Sequence, residues 1–263
     1  MILRNFITMP WVVAGIFSLS AIFTSCSKSD TGKGMPPAPA DTIQLSFSHL
    51  VNTQPLVLGN TTYKNAAGES FNITTFKYYL SNFSLIKTDG SSVVLEPAAY
   101  FLIDEAKPGS KTILLDGVPA GIYKGISWWI GVDSTRNVSG VQSGALDPAN
   151  GMFWTWNSGY IMAKLEGTSP VSNATMNLLE FHVGGFKGTT NALRQVTLGF
   201  PEPVNVDKGK IPEVSVTADA YTWFDQPNRI SFKEFAACHV PGADAMKIAD
   251  NYRKMFAIKS VLN

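Results

Sequence analysis

Ile43, Leu45, Phe47 and His49 alternate with Thr42, Gln44, Ser46 and Ser48, and this two-residue period constrains the fold more than any other feature of the chain. Successive side chains of an extended strand point to opposite faces, so such a segment buries one face and wets the other. Short runs rich in Val, Ile, Thr, Phe and Tyr recur along the chain. Tyr79–Ile86 and Ser92–Leu95 read as strands joined through Asp89-Gly90, a hairpin signal. Tyr100–Ile103, Lys111–Leu115, Gly121–Ile130, Met176–Val183, Gln195–Phe200 and Ile211–Thr217 continue the series, with a turn over Val118–Gly121. Many short strands at this spacing predict an all-β fold, an antiparallel β-sandwich that is Ig-like in general architecture. Met246, Ala249, Tyr252, Met255 and Phe256 instead recur at helical spacing. They predict one C-terminal amphipathic helix from Gly242 to about Phe256, packed on the sandwich.

The first residues give the chain an address. Arg4 is the one charge before Cys26, Trp11–Phe23 is apolar, and small residues precede the cysteine. This is the pattern of a signal peptide over 1–25, too short and too poorly flanked for a membrane span. A cysteine at that spot resembles a bacterial lipobox, which makes Cys26 the lipid attachment point of the mature protein. Residues 26–40 then read as a flexible tether and 41–263 as a single domain. The expected location is the cell envelope, as a membrane-anchored lipoprotein of the outer membrane or periplasm. The whole chain has 21 Lys and Arg against 20 Asp and Glu, and loss of Arg4 leaves the two in balance. Nucleic-acid binding needs a basic footprint that this chain lacks. An acylated Cys26 leaves Cys238 without a disulfide partner, so packing must supply the stability.

Two segments break the rhythm of plain strands. Gly131–Asn150 is a long loop holding Asp133, Arg136, Asn137, Asp147 and Asn150, and loops of that length are often functional. Its oxygens do not follow the EF-hand spacing. Gly151–Glu166, read as one extended strand, places Trp154, Trp156, Ser158, Tyr160 and Met162 on one face. A core needs only one apolar face per strand, so this second aromatic face must be covered or used.

Few residues are able to carry chemistry. His49 extends the apolar row of its strand, so its ring points inward, either as a satisfied core histidine or as a metal ligand. His182, in Leu179-Glu-Phe-His-Val-Gly-Gly185, shares a face with Glu180 and has the same two readings. His239 follows Cys238. A Cys-His pair suits a soft metal, but neighbours in a strand diverge, which makes His239 a weak candidate. Asp104-Glu105 diverges in the same way, so a hydrolase dyad is not indicated. No zinc, phosphate-loop or nucleophile-elbow motif is present.

Several of these residues together resemble the MbnP-like family. They are Phe47-Ser-His-Leu-Val51 with Pro55-Leu56, Phe76-Lys-Tyr-Tyr-Leu-Ser-Asn82, Gly131-Val-Asp133, Gly144-Ala-Leu-Asp-Pro148, Met152-Phe-Trp-Thr-Trp156 with Gly159-Tyr160, and Glu180-Phe-His-Val-Gly-Gly185. The resemblance implies a lipid-anchored or periplasmic β-sandwich that binds copper and is not an enzyme. It also implies a diheme cytochrome c peroxidase-like partner that converts a tryptophan to kynurenine. Carried over residue by residue, it makes His49 and His182 metal ligands and Trp154 or Trp156 the modified ring. The contrasting expectation is a surface glycan- or partner-binding lipoprotein, in which Trp128, Trp129, Trp154, Trp156 and Trp223 present stacking faces.

Overall fold

The computed structural model describes residues 40–95, 99–154 and 159–263. The signal segment, Cys26, the tether up to residue 39, Trp156 and Ser158 lie outside the described residues. The chain opens with β1 (Ala40–Val51), β2 (Gln54–Pro55), β3 (Tyr63–Lys64), β4 (Ser70–Lys87) and β5 (Ser92–Val94). β6 (Tyr100–Asp104), β7 (Thr112–Pro119), β8 (Gly121–Ile130) and a one-turn helix α1 (Ser134–Asn137) follow. β9 (Ile161–Thr168), β10 (Leu178–Gly184), β11 (Arg194–Val206) and β12 (Glu213–Asp219) come next, then β13 (Ala237–Cys238), α2 (Ala243–Tyr252) and β14 (Phe256–Leu262).

The strands form two sheets. The smaller has the order β14-β12-β1-β2, with β7 also on β1; the larger has β11-β8-β4-β9-β10-β13, with β3, β5 and β6 on β4. β4 organises the larger sheet. Its residues Lys77 and Leu80 both pair with β6, while Lys77 also pairs with β9 and Leu80 with β8. β8 and β9 therefore follow one another along one edge of β4, with β6 on the other. The sheets meet through aromatic side chains. Trp128 of β8 makes edge contacts with Phe47 of β1 and Phe256 of β14, at centroid distances of 6.3 and 5.2 Å. Tyr78 of β4 meets Phe256 at 5.5 Å. The fold is thus an all-β sandwich, and the hairpin between β4 and β5 turns at Gly90 with φ +93°.

Four details differ from the sequence expectations. β1 pairs with β12, and β10 with β13, in parallel, so the sheets are mixed. Short hairpins force antiparallel pairing, but these pairs are joined by long excursions that leave direction free. The C-terminal helix ends at Tyr252, and Phe256 opens a strand instead. Met255 and Phe256 are buried, which suits either periodicity, and the aromatic contacts of Phe256 select the strand.

The Trp-rich segment is not one strand. Trp154 N donates to Gly159 O at 3.1 Å and Ile161 N donates to Met152 O at 2.9 Å, so residues 152–154 run against 159–161. Trp154 therefore lies on the arm opposite Tyr160 and Met162 and shares no single strand with them; Tyr160 and Met162 are buried and Trp154 is half-buried. The loop after β8 is also more ordered than expected. Asp133 caps α1 by accepting from Arg136 N, and Asp147 accepts from Ala149 N. Asn137 is buried, donates from Nδ2 to Val132 O and accepts at Oδ1 from Tyr160 N. These oxygens serve the backbone.

Trp128 is fully buried, and its indole N–H has no hydrogen-bond partner among the described residues. Trp128→Ala is expected to lower unfolding free energy by about 3–5 kcal/mol through the cavity it leaves. Trp128→Phe keeps a ring and removes the unpaired donor, so it should cost clearly less. Urea unfolding of both variants checks the order; equal losses would contradict it.

Candidate metal centre

His49 lies near the end of β1, where the alternation of that strand turns it into the sandwich. Its Nδ1 is 2.6 Å from Glu105 Oε2 and its Nε2 is 2.8 Å from the Tyr78 hydroxyl. The carboxylate accepts, so Nδ1 carries the proton, and Nε2 then accepts from Tyr78. Glu105 also accepts from Lys111 Nζ at 2.9 Å. Phe76 and Tyr78 meet the imidazole edge-on at 5.0 and 5.6 Å. Burial pushes the His49 pKa down, with Glu105 opposing, and the ring is held neutral. Both nitrogens are engaged, so a metal reaches Nε2 only by replacing the Tyr78 hydroxyl. Glu105 was absent from the sequence expectations as a partner of His49. The signal was there: Asp104 and Glu105 do diverge, Asp104 toward Lys77 and Glu105 toward His49.

The other two histidines meet on the opposite face of the larger sheet. Register places Asp104, Lys77, Lys164 and His182 in one row across β6, β4, β9 and β10. Phe181 pairs with Cys238 of β13, which brings His239 beside His182, with ring centroids 4.9 Å apart. His182 Nε2 lies 2.7 Å from Glu166 Oε1, and His239 Nε2 lies 3.5 Å from Glu180 Oε2. Glu166 also accepts from the Thr75 hydroxyl and has Lys164 Nζ at 3.5 Å. His182 first, then Thr75 and Lys164, hold the Glu166 carboxyl down to about 2, against the opposing effect of burial.

Trp154 reaches the same face. A Cβ on Gly184 would stand 2.7 Å from Trp154 Cζ3, so the indole lies where that side chain would be. Gly184 follows His182 by two residues and shares its side of β10. The structure therefore joins His182 with His239, and places the Trp154 ring over Gly184, two residues farther along β10. It does not join His182 with His49, which is level with it along β4 but on the other side of the sheet. Cys238 points inward, away from His239, and burial pushes its thiol up to about 11. Trp128 and Trp223 are fully buried, which removes two faces from the expected aromatic platform. Among the described residues, no group of three His, Cys, Asp or Glu side chains is placed to hold a metal ion.

The buried His49 gives stability a pH dependence. Its folded pKa lies below the ordinary 6.5, so below that pH the unfolded chain takes up a proton before the folded protein does. Stability is complete above pH 6.5 and falls as the pH drops toward the folded value. Glu105 and Glu166 are both lowered from 4.5, which adds a second decline below that pH. Urea midpoints measured against pH should show both declines in the wild type. His49→Gln should lose the upper one and keep the lower; an unchanged upper decline would contradict the assignment.

A family model described as MbnP matches residues 40–240, from β1 through His239. Among solved structures, MbnP from Methylosinus trichosporium aligns with a TM-score of 0.52 at 14% identity, covering 84% of this chain and 99% of that one. At that identity the likeness bears on the fold. A search of curated proteins finds no match. The family match takes in well over half of the 263 residues and every histidine of the site, and the chain belongs to the MbnP family.

Proposed function

We propose that this protein binds copper at the cell envelope, anchored through a lipid on Cys26, and takes part in copper handling without catalysing a reaction. One observation carries the choice of ligands: His182 and His239 adjoin on one face, each with Nε2 turned toward a carboxylate. Metal-bound histidines commonly use one nitrogen for the metal and give the other to a carboxylate, which orients the ring and raises its basicity. Glu166 and Glu180 supply that support, and the Nδ1 atoms are left to face a metal. Imidazole nitrogen suits copper, which outcompetes most divalent metals at such donors. The donor set fits copper as a two-nitrogen site that needs a further ligand.

The tryptophan beside the pair offers that ligand after oxidation. Cleavage of the indole C2–C3 bond places an oxygen on each carbon, and water then releases C2 as formate. The oxidant is peroxide, two equivalents of which are reduced to water at the heme of a diheme cytochrome c peroxidase-like partner. The kynurenine so formed carries an aromatic amine. Trp154 is the residue of choice because its ring lies over Gly184, next to His182 along the strand face. Trp156, the other residue of the Trp-Thr-Trp motif, lies outside the described residues.

Copper titration of the mature protein, begun at Ser27, tests the ligands. His182→Ala with His239→Ala should weaken binding by about 100-fold or more, and Glu166→Gln by about 10-fold. His49→Gln should leave binding within a few-fold; if it abolishes binding while the double variant keeps it, His49 is the ligand instead. Intact mass and peptide mapping of protein from its native host should find Trp154 one oxygen heavier and one carbon lighter. An unaltered Trp154 would remove the kynurenine assignment and leave binding by histidine standing.

A further inference from the structure

We infer a second ligand site, for a single neutral sugar ring, in the hollow over Trp129. It is independent of the copper reading. Trp129 alternates with the core residue Trp128 on β8, so its indole faces outward and is half-buried. A hollow of about 330 Å³ opens there, with Phe186 and Leu193 as its apolar walls. Its polar lining comes from Asn82, Asp133, Ser134 and Asn191. That volume is near the lower end of small-molecule sites and suits one ring.

The chemistry of the lining selects the ligand class. An indole face with apolar flanks matches the C–H face of a pyranose, and a carboxylate, two amides and a hydroxyl match its ring of hydroxyls. Among the described residues no lysine or arginine lines the hollow, while Asp133 does, which disfavours phosphates and carboxylates as ligands. Of the cations nearby, Arg136 is held 5.7 Å over Tyr100, outside the lining, while Lys187 lies 4.9 Å over the Phe186 wall itself.

The polar groups are also held in place. Asp133 Oδ1 accepts from Arg136 N and its Oδ2 from the Tyr100 hydroxyl, which fixes the carboxylate at the start of α1. Asn191 Oδ1 accepts from Leu193 N, which leaves its amide N–H groups as donors. Asn82 sits at φ +51°, where β4 shifts register against β8, and this lifts its side chain out of the regular pleat. Such preorganisation lowers the ordering cost of binding.

The test is saturation-transfer NMR of the mature protein with a panel of methyl glycosides of neutral hexoses and pentoses. At least one should bind saturably in the ~1 mM range, as one stacked ring with a few hydrogen bonds supports. Trp129→Leu keeps an apolar side chain but removes the stacking ring and should weaken binding about tenfold, with a thermal melt confirming the fold. Ser134→Val should also weaken it, while His182→Ala with His239→Ala should leave it unchanged. No saturable signal across the panel, or equal affinity in Trp129→Leu, would overturn the site.

Discussion

The pleat of β4 divides the chemistry of this protein. Lys77 and Tyr78 are neighbours in sequence, yet one extends the outer row through Lys164 to His182 and the other holds His49 inside. The smaller sheet covers the inner side, so His49 loses water and must satisfy both nitrogens from protein groups. The outer side remains partly open, and its charges stand in register across strands. Residues level with each other along β4 thus meet quite different dielectric surroundings. That difference makes one histidine a neutral part of the core and leaves the other pair partly exposed beside carboxylates.

The position of Trp154 depends on the same sheet. Val183 pairs with Ala163 and Gly184 with Ile161, so Met162 is an extra residue in β9. Such a bulge bends its strand and marks the point where the chain leaves the sheet. The sulfur of Met162 accepts from Val132 N, which ties the bulge to the end of β8. The returning segment brings Trp154 onto Gly184, and only a residue without Cβ allows the ring to lie there. Asn137 secures the other arm through Tyr160 N, close against Gly159. A bulge, a glycine and a buried amide together set one indole over Gly184, two residues along β10 from His182.

Much of the frame was legible in the sequence because it rests on local patterns. The alternation of Ile43, Leu45 and Phe47 predicted the buried side of His49, and Asp89-Gly90 predicted the hairpin. The divergence of Asp104 from Glu105, and of Cys238 from His239, followed from the same period. The Trp-rich segment misled because alternation there was assumed beyond the strand that carries it. A run from Gly151 to Glu166 that looks continuous is in fact two arms, with residues 152–154 paired antiparallel to 159–161. The last strand was missed because Met255 and Phe256 satisfy helical and strand periods alike.

The sequence by itself determined the β-sandwich class, the inward direction of His49 and the common face of His182 and Glu180. These follow from a pleat that each strand carries alone. Only the tertiary structure decided which histidines meet. The His182–His239 pair depends on the parallel docking of β13 on β10, and Glu105 reaches His49 across two sheets. Neighbours across strands come from segments far apart in the chain, and register is set by how the whole core packs. No local period contains that information.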